Sequence, residues 1–214
     1  MVTSTTHRAR PLLDVRTWAW LSGWSGVAAG FLLVLFFALA DPFGTAEPVG
    51  GWTWTGPAND VAVALQFATF APVAWALRRR LPATWAVRAG TVAAVIAMVA
   101  AAVLQVLLVA GVIPFETQLP FVMVAFVVVF GWLLGADFAA HRSRTLPRPL
   151  TRVGLLLGAG FVVGMLLAAA GLLLPGPAGQ VVLWLGLGVG SVAWLALPAF
   201  PLLLARYVFT KERS

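Results

Sequence analysis

Two glutamines, one aspartate and a pair of tryptophans are the residues of this chain whose types and positions invite chemistry. Gln66 and Gln105 stand inside long apolar runs. A side-chain amide in hydrocarbon is costly unless paired, so each marks either a bond between helices or a polar pocket. Gln105 continues the four-residue spacing of Ala89, Ala93, Ala97 and Ala101 and is expected to face another helix. Gln66 shares a helical face with Ala62 and Thr69. At 1.5 Å per residue both glutamines fall roughly 8–12 Å below the same membrane surface. Consecutive antiparallel helices are usually neighbours, so the two are expected to meet. They then form either an interhelical hydrogen bond contributing ~0.6–2 kcal/mol, or part of a small ligand pocket with Thr69 and Ser191. Trp52 and Trp54, in a Trp-Thr-Trp-Thr segment, suit interfacial anchoring, or a lid that adds aromatic contacts to an external ligand.

Asp137 is the only acid within an apolar run. Its expected partner is a loop arginine, one of Arg78, Arg79 or Arg80, or interfacial water. A coupled transporter would place its acid nearer the midplane. Other chemistries are missing. With no cysteine, thiolate metal sites, Cys nucleophiles and disulfides are excluded. His7 and His141 both lie outside the apolar runs, so no haem pair, zinc set or Ser–His–Asp triad can assemble inside the membrane. There is no Walker A loop or dinucleotide fingerprint. No cofactor, metal or enzymatic activity is expected.

The elements that must position these residues follow from composition. Of 214 residues, 61% are hydrophobic and 10% charged, with mean hydropathy +0.97. A soluble domain is nearer ~45–50% apolar and ~25% charged, and a fold of this length could not bury the excess. An all-α membrane protein is expected: a single six-transmembrane-helix bundle with spans near 17–40, 61–77, 90–113, 119–140, 153–174 and 181–204. Each approaches the roughly 20 residues that a ~30 Å hydrocarbon core demands. Asn59 and Asp60 are expected to cap the second helix, Pro120 to sit in the first turn of the fourth, and Ser22 and Ser25 to bond back to their own helix.

Charge sets the expected orientation. All fourteen basic residues fall in the two tails, the loop after span two and the loop after span four. The positive-inside rule then puts both termini in the cytoplasm, N-in/C-in. The sequence Ala38-Leu39-Ala40 resembles a signal-cleavage site, but the run before it, about 24 residues, exceeds the usual ~7–15. A retained span is therefore expected. The net charge of +7 is dispersed among short loops, which argues against nucleic acid as a partner. Arg78, Arg79, Arg80, Arg142, Arg144, Arg148 and Arg152 suit contact with anionic lipid headgroups, each contributing ~1 kcal/mol near the surface.

Small residues recur four apart in five runs, among them Ser22, Gly26 and Gly30, Gly131 and Gly135, Gly154 and Gly158, and Gly186 and Gly190. They permit close helix packing or contact with a partner chain or second copy. Every basic residue but Lys211 is arginine, and Ala, Val, Leu and Gly abound. This is the usage of a GC-rich bacterial genome, so a multi-pass protein of the bacterial cytoplasmic (inner) membrane is expected. The expected function is that of a packing or interaction subunit of a membrane complex; the alternative is a small permease for a neutral or amphiphilic solute, with a polar pocket in the outer half of the bundle. A cavity at the glutamines would favour the second.

Overall fold

The computed structural model describes residues 14–39 and 52–209. They are entirely helical, with no strand among them. The helices are α1 (Val15–Leu39), α2 (Thr55–Leu77), α3 (Trp85–Val109), α4 (Phe115–Ser143), α5 (Arg148–Leu173), α6 (Gly176–Ala196) and α7 (Ala199–Tyr207). Taking α6 and α7 together, six are long and apolar enough to cross a membrane. The residues before 14, from 40 to 51 and after 209 lie outside the described set. With them go Arg8, Arg10, Lys211, Arg213, the Ala40 end of the cleavage-like motif and most of the first connection.

Sequential helices pack side by side, and α7 closes the ring against α1. At one end, the basic end, lie the connections carrying Arg78, Arg79, Arg80, Arg144 and the adjoining Arg88, Arg142 and Arg148. At the far end, Gly111 takes φ +68°, a left-handed turn that lets α3 reverse into α4. Arg144 takes φ 56° to end α4, and the next amide, of Thr145, bonds the Ala140 carbonyl at 3.2 Å.

Several boundaries differ from expectation. α2 begins at Thr55, so Asn59 and Asp60 sit within the helix and not at its cap. The helix starts early because Thr55 Oγ1 and its amide both bond the Trp52 carbonyl, at 2.6 and 3.1 Å. α4 begins at Phe115, leaving Pro120 in its second turn. The sixth run breaks in two at Pro198. Proline cannot donate to the Trp194 carbonyl four residues back, nor can Pro201 donate to that of Leu197. Tighter bonds take over: the Leu197 amide reaches the Trp194 carbonyl at 3.1 Å, and the Phe200 amide that of Leu197 at 3.0 Å.

Large side chains stand on both sides of the packing: Phe31, Ile96, Leu166 and Trp184 face outward, while Phe67, Phe70, Phe130 and Phe200 are buried beside the wholly buried Ala19, Ala29, Ala94 and Ala101. Lipid tails solvate the outward residues, so close backbone approach and not hydrophobic expulsion holds the helices. The α5–α6 seam is the clearest case. A methyl on Gly164 would overlap the backbone of Gly190, one on Gly171 that of Leu183, and one on Gly186 that of Ala168. Polar bonds add to this. Ser25 bonds back to the Leu21 carbonyl at 2.7 Å as expected, but Ser22 instead crosses to the Gln66 carbonyl at 3.0 Å. Between α3 and α4 the buried Trp132 indole donates to Thr91 Oγ1 at 3.1 Å. Thr91→Val strands that N–H and is expected to cost about 1–2 kcal/mol in chemical unfolding, with Thr91→Ser close to wild type.

Candidate ligand pocket and a buried carboxyl

At the far end the six spanning segments enclose a cavity of about 260 Å³. Its floor is aromatic. Phe126 lies at the centre of a cluster with Phe67 (5.2 Å between ring centroids), Trp194 (6.3 Å) and Phe161 (6.4 Å). Beneath it Phe130 stacks on Phe161 at 4.1 Å. These rings close the cavity toward the basic end. Its side is more open: α6 scarcely touches α1, and the lining residues Ser191, Leu187 and Leu195 of α6 are exposed. The α6–α7 break explains the gap, because α7 and not α6 packs along α1.

The polar residues lining this cavity are its distinguishing feature. Asn59 Oδ1, Gln105 Oε1, Gln118 Nε2 and Trp194 Nε1 are all buried without a hydrogen-bond partner among the described residues, and all four residues line it. Elsewhere in the described chain only Arg16 Nε and Asp137 Oδ1 share that condition. A buried polar group left unsatisfied costs about 1–3 kcal/mol, and the residues that carry four such groups share the lining of this one cavity. Asp60 also lines it, receiving a long bond from Asn59 Nδ2 at 3.4 Å.

The sequence-derived candidates divide. Gln105 and Ser191 line the cavity. Gln66 and Thr69 do not, because their face of α2 turns toward α1. A methyl on Gly26 would overlap the Gln66 amide, and Thr69 Oγ1 bonds back to the Leu65 carbonyl at 2.6 Å. Gln66 therefore does not meet Gln105: the two residues leave the bundle axis on different sides. Trp52 and Trp54 stack on each other, 6.1 Å apart, away from the cavity lining. Among the arginines, Arg78 packs over the Trp75 ring at 4.1 Å, while Arg79, Arg80, Arg142, Arg144, Arg148 and Arg152 are exposed. Sequence reasoning missed Asn59, Asp60, Gln118 and Trp194 as lining residues. The first three lie just outside the hydropathy-defined spans, where a polar residue is ordinarily a cap or solvated. Trp194 is one of ten tryptophans, and nothing local marks it.

Asp137 lies near the other end, in the α4–α5 interface. That interface keeps one antiparallel register, with Phe130 against Phe161, Leu134 against Gly158, Asp137 against Gly154 and His141 against Thr151. The carboxyl fills the space a Gly154 side chain would take, close to the Phe200 ring. It is buried, and it lacks the arginine partner expected of it: no described cation pairs with it. The arginines of its neighbourhood project outward from the helix ends, while Gly154 draws the carboxyl inward. One turn on, His141 Nδ1 and Thr151 Oγ1 share a hydrogen bond of 3.1 Å.

No group of three or more potential metal-ligating His, Cys, Asp or Glu occurs among the described residues. The chain matches no family model, no curated protein and no solved structure.

Proposed function

We propose that this protein is a small permease whose far-end cavity binds an amphiphilic solute. The gathering of the polar residues Asn59, Asp60, Gln105, Gln118 and Ser191 in the lining of one aromatic-floored cavity carries this reading. A solute in that space would meet polar side chains on one side and bury its apolar part against Phe126 and Phe161 on the other. The gap between α1 and α6 opens sideways, which suits entry of a molecule already dissolved in lipid. The broken sixth span also fits, since discontinuous helices bring half-helix ends to binding sites in transporters. The absence of a catalytic set in the sequence supports a role without chemistry on the solute.

The arginine distribution supports N-in/C-in topology, with the cavity facing away from the cytoplasm, and composition supports the bacterial cytoplasmic membrane. The exposed arginines then face anionic headgroups. Because the chain lacks cysteine, single cysteines report topology cleanly. Glu116→Cys is expected to react with a membrane-impermeant maleimide on intact cells, and Thr145→Cys only after lysis. The reverse pattern would invert the assignment.

A subunit role is the second reading, favoured by one observation. Gly131 and Gly135 have nothing within 4 Å of their missing side chains and form an open groove with Gly90 and Ala93. Native mass spectrometry on lipid-extracted protein separates the two. A retained small molecule that is lost on Gln105→Leu plus Gln118→Leu supports the permease. A second polypeptide in fixed stoichiometry, with no small molecule, supports the subunit and overturns the permease.

A further inference from the structure

We infer that the hollow lined by Arg78, Arg79 and Arg88 at the basic end is a specific site for a phosphate monoester, presented by a lipid of the adjoining leaflet. The inference deepens the headgroup contact proposed for the exposed arginines and rests on it, but it is independent of the far-end cavity.

The connection between α2 and α3 builds the hollow. Short backbone bonds close the end of α2: the Arg79 amide reaches the Ala76 carbonyl at 3.2 Å, and the Arg80 amide that of Leu77 at 2.8 Å. Leu81 then enters the core, where it is buried. Thr84 starts α3, its Oγ1 accepting the Val87 amide at 3.3 Å. The connection is thus held at both ends, and Arg88, near the start of α3, is brought to the arginines that end α2. The result is a hollow of about 400 Å³, lined by Leu81 and Ala83 together with the three arginines.

Three cations share this space, and no acid lines it. Arg78 is held over the Trp75 ring at 4.1 Å, a contact that places the guanidinium without neutralising it. Arg79 and Arg88 have no side-chain hydrogen bond or ion pair among the described residues. The dipole of α2 favours cations at its C-terminal end, but that of α3 opposes one near its N-terminal end, where Arg88 stands. The positive-inside rule accounts for arginines in this connection, not for their convergence on one hollow. An anion seated there offsets the mutual repulsion and the unfavourable dipole together.

Valence narrows the anion. A phosphate monoester carries ~1.5 to 2 negative charges near neutral pH and three terminal acceptor oxygens. A phosphodiester headgroup offers one charge and two such oxygens. Guanidinium forks bind the oxygens of phosphate in charge-assisted pairs, so three of them match the monoester. The source follows from depth. Trp75, in the last turn of α2, and Trp85, in the first turn of α3, are both exposed. Exposed tryptophans belong at headgroup level, which sets the hollow beside lipid phosphates.

The test uses the full-length protein in nanodiscs that mix phosphatidylcholine, phosphatidylglycerol and phosphatidic acid with identical acyl chains. Native mass spectrometry then counts the lipids retained. Phosphatidic acid is expected to be retained over phosphatidylglycerol at least about fivefold beyond their ratio in the disc. Arg79→Gln plus Arg88→Gln should remove that preference. Arg142→Gln plus Arg148→Gln, an equal loss of charge at the other basic connection, should leave it intact. All four side chains are exposed, and Arg79→Lys plus Arg88→Lys, which keeps the charge but not the fork, should keep part of the preference. Equal enrichment of the two anionic lipids over phosphatidylcholine overturns the site and leaves general headgroup contact standing. Enrichment of neither overturns both. A preference that survives Arg79→Gln plus Arg88→Gln, or that falls equally in the Arg142 and Arg148 pair, overturns the location. Micromolar binding of glycerol 3-phosphate, by calorimetry in phosphatidylcholine nanodiscs, would assign the hollow to a soluble phosphate and overturn the lipid source.

Discussion

Gly186→Val is expected to abolish the packed bundle, whereas Gly188→Val, two residues away on the same helix, is expected to be nearly silent. The two glycines have the same helix propensity. They differ in what stands opposite. A methyl on Gly186 overlaps the amide and Cα of Ala168, whereas Gly188 has nothing within 4 Å. Overpacking a side-chain core costs about 1–3 kcal/mol, but here the obstacle is backbone, which cannot rotate away. The α5–α6 seam must then separate along Gly164, Ala168 and Gly171, and helix association in lipid depends on that contact. A loss of about 3 kcal/mol or more is expected for Gly186→Val, and within about 0.5 kcal/mol for Gly188→Val. Reversible unfolding in mixed micelles measures both. Similar values for the pair would show that the seam is not close-packed. Gly186 and Gly190 also line the cavity, so a separated seam widens the site and should release any retained solute.

The second large effect concerns Asp137 and has an unusual sign. Removing one partner of a buried ion pair costs about 3–5 kcal/mol. Asp137 has no such partner among the described residues, so Asp137→Ala is expected to be neutral or stabilising, by up to about 2 kcal/mol, as an unsatisfied polar group is lost. Gly154→Ala alone forces the new methyl into the carboxyl and should destabilise by about 1–3 kcal/mol. Combined, the two should be tolerated, since the alanine at 154 occupies space the carboxyl vacates. A double-mutant cycle is therefore expected to return a coupling energy of about 1–3 kcal/mol. Additive effects would mean the carboxyl does not occupy the Gly154 site, and a strongly destabilising Asp137→Ala would mean it has a partner. An intramembrane acid kept at a cost to stability is a signature of use. Its distance from the far-end cavity, about 28 Å along α4 from Gln118 by helix rise, makes it a feature separate from the solute site.

Most of the architecture was legible in the chain itself. A continuous apolar run of about 20 residues has one stable arrangement in hydrocarbon, a helix, because every backbone amide must be satisfied within the segment. The count of six spans, their order and the gathering of arginines at one end therefore followed from composition alone. The close-packed glycines were legible too, as spacings of four. Which of them are used was not: Gly164 and Gly186 press on neighbouring backbones, while Gly131 and Gly135, identically spaced, face open space. Spacing reports that residues share a face, and only the rotation of the helix in the bundle decides what that face meets.

The same rotation decided the site. Gln66 and Gln105 share a depth, and depth was all that helix rise could supply; α2 is turned so that Gln66 meets α1 and Asn59 meets the cavity. Polar residues at span ends read as caps because hydropathy cannot distinguish a helix end in solvent from one folded over a pocket. Asp137 looked shallow and hydrated for the same reason, until Gly154 and Phe200 closed over it. The sequence by itself determined that there are helices, how many and which ends carry charge, since those depend on transfer of each segment into lipid. Only the tertiary structure decided which polar atoms lack partners and that the residues carrying four of them line one cavity, since that depends on azimuthal packing between segments far apart in the chain.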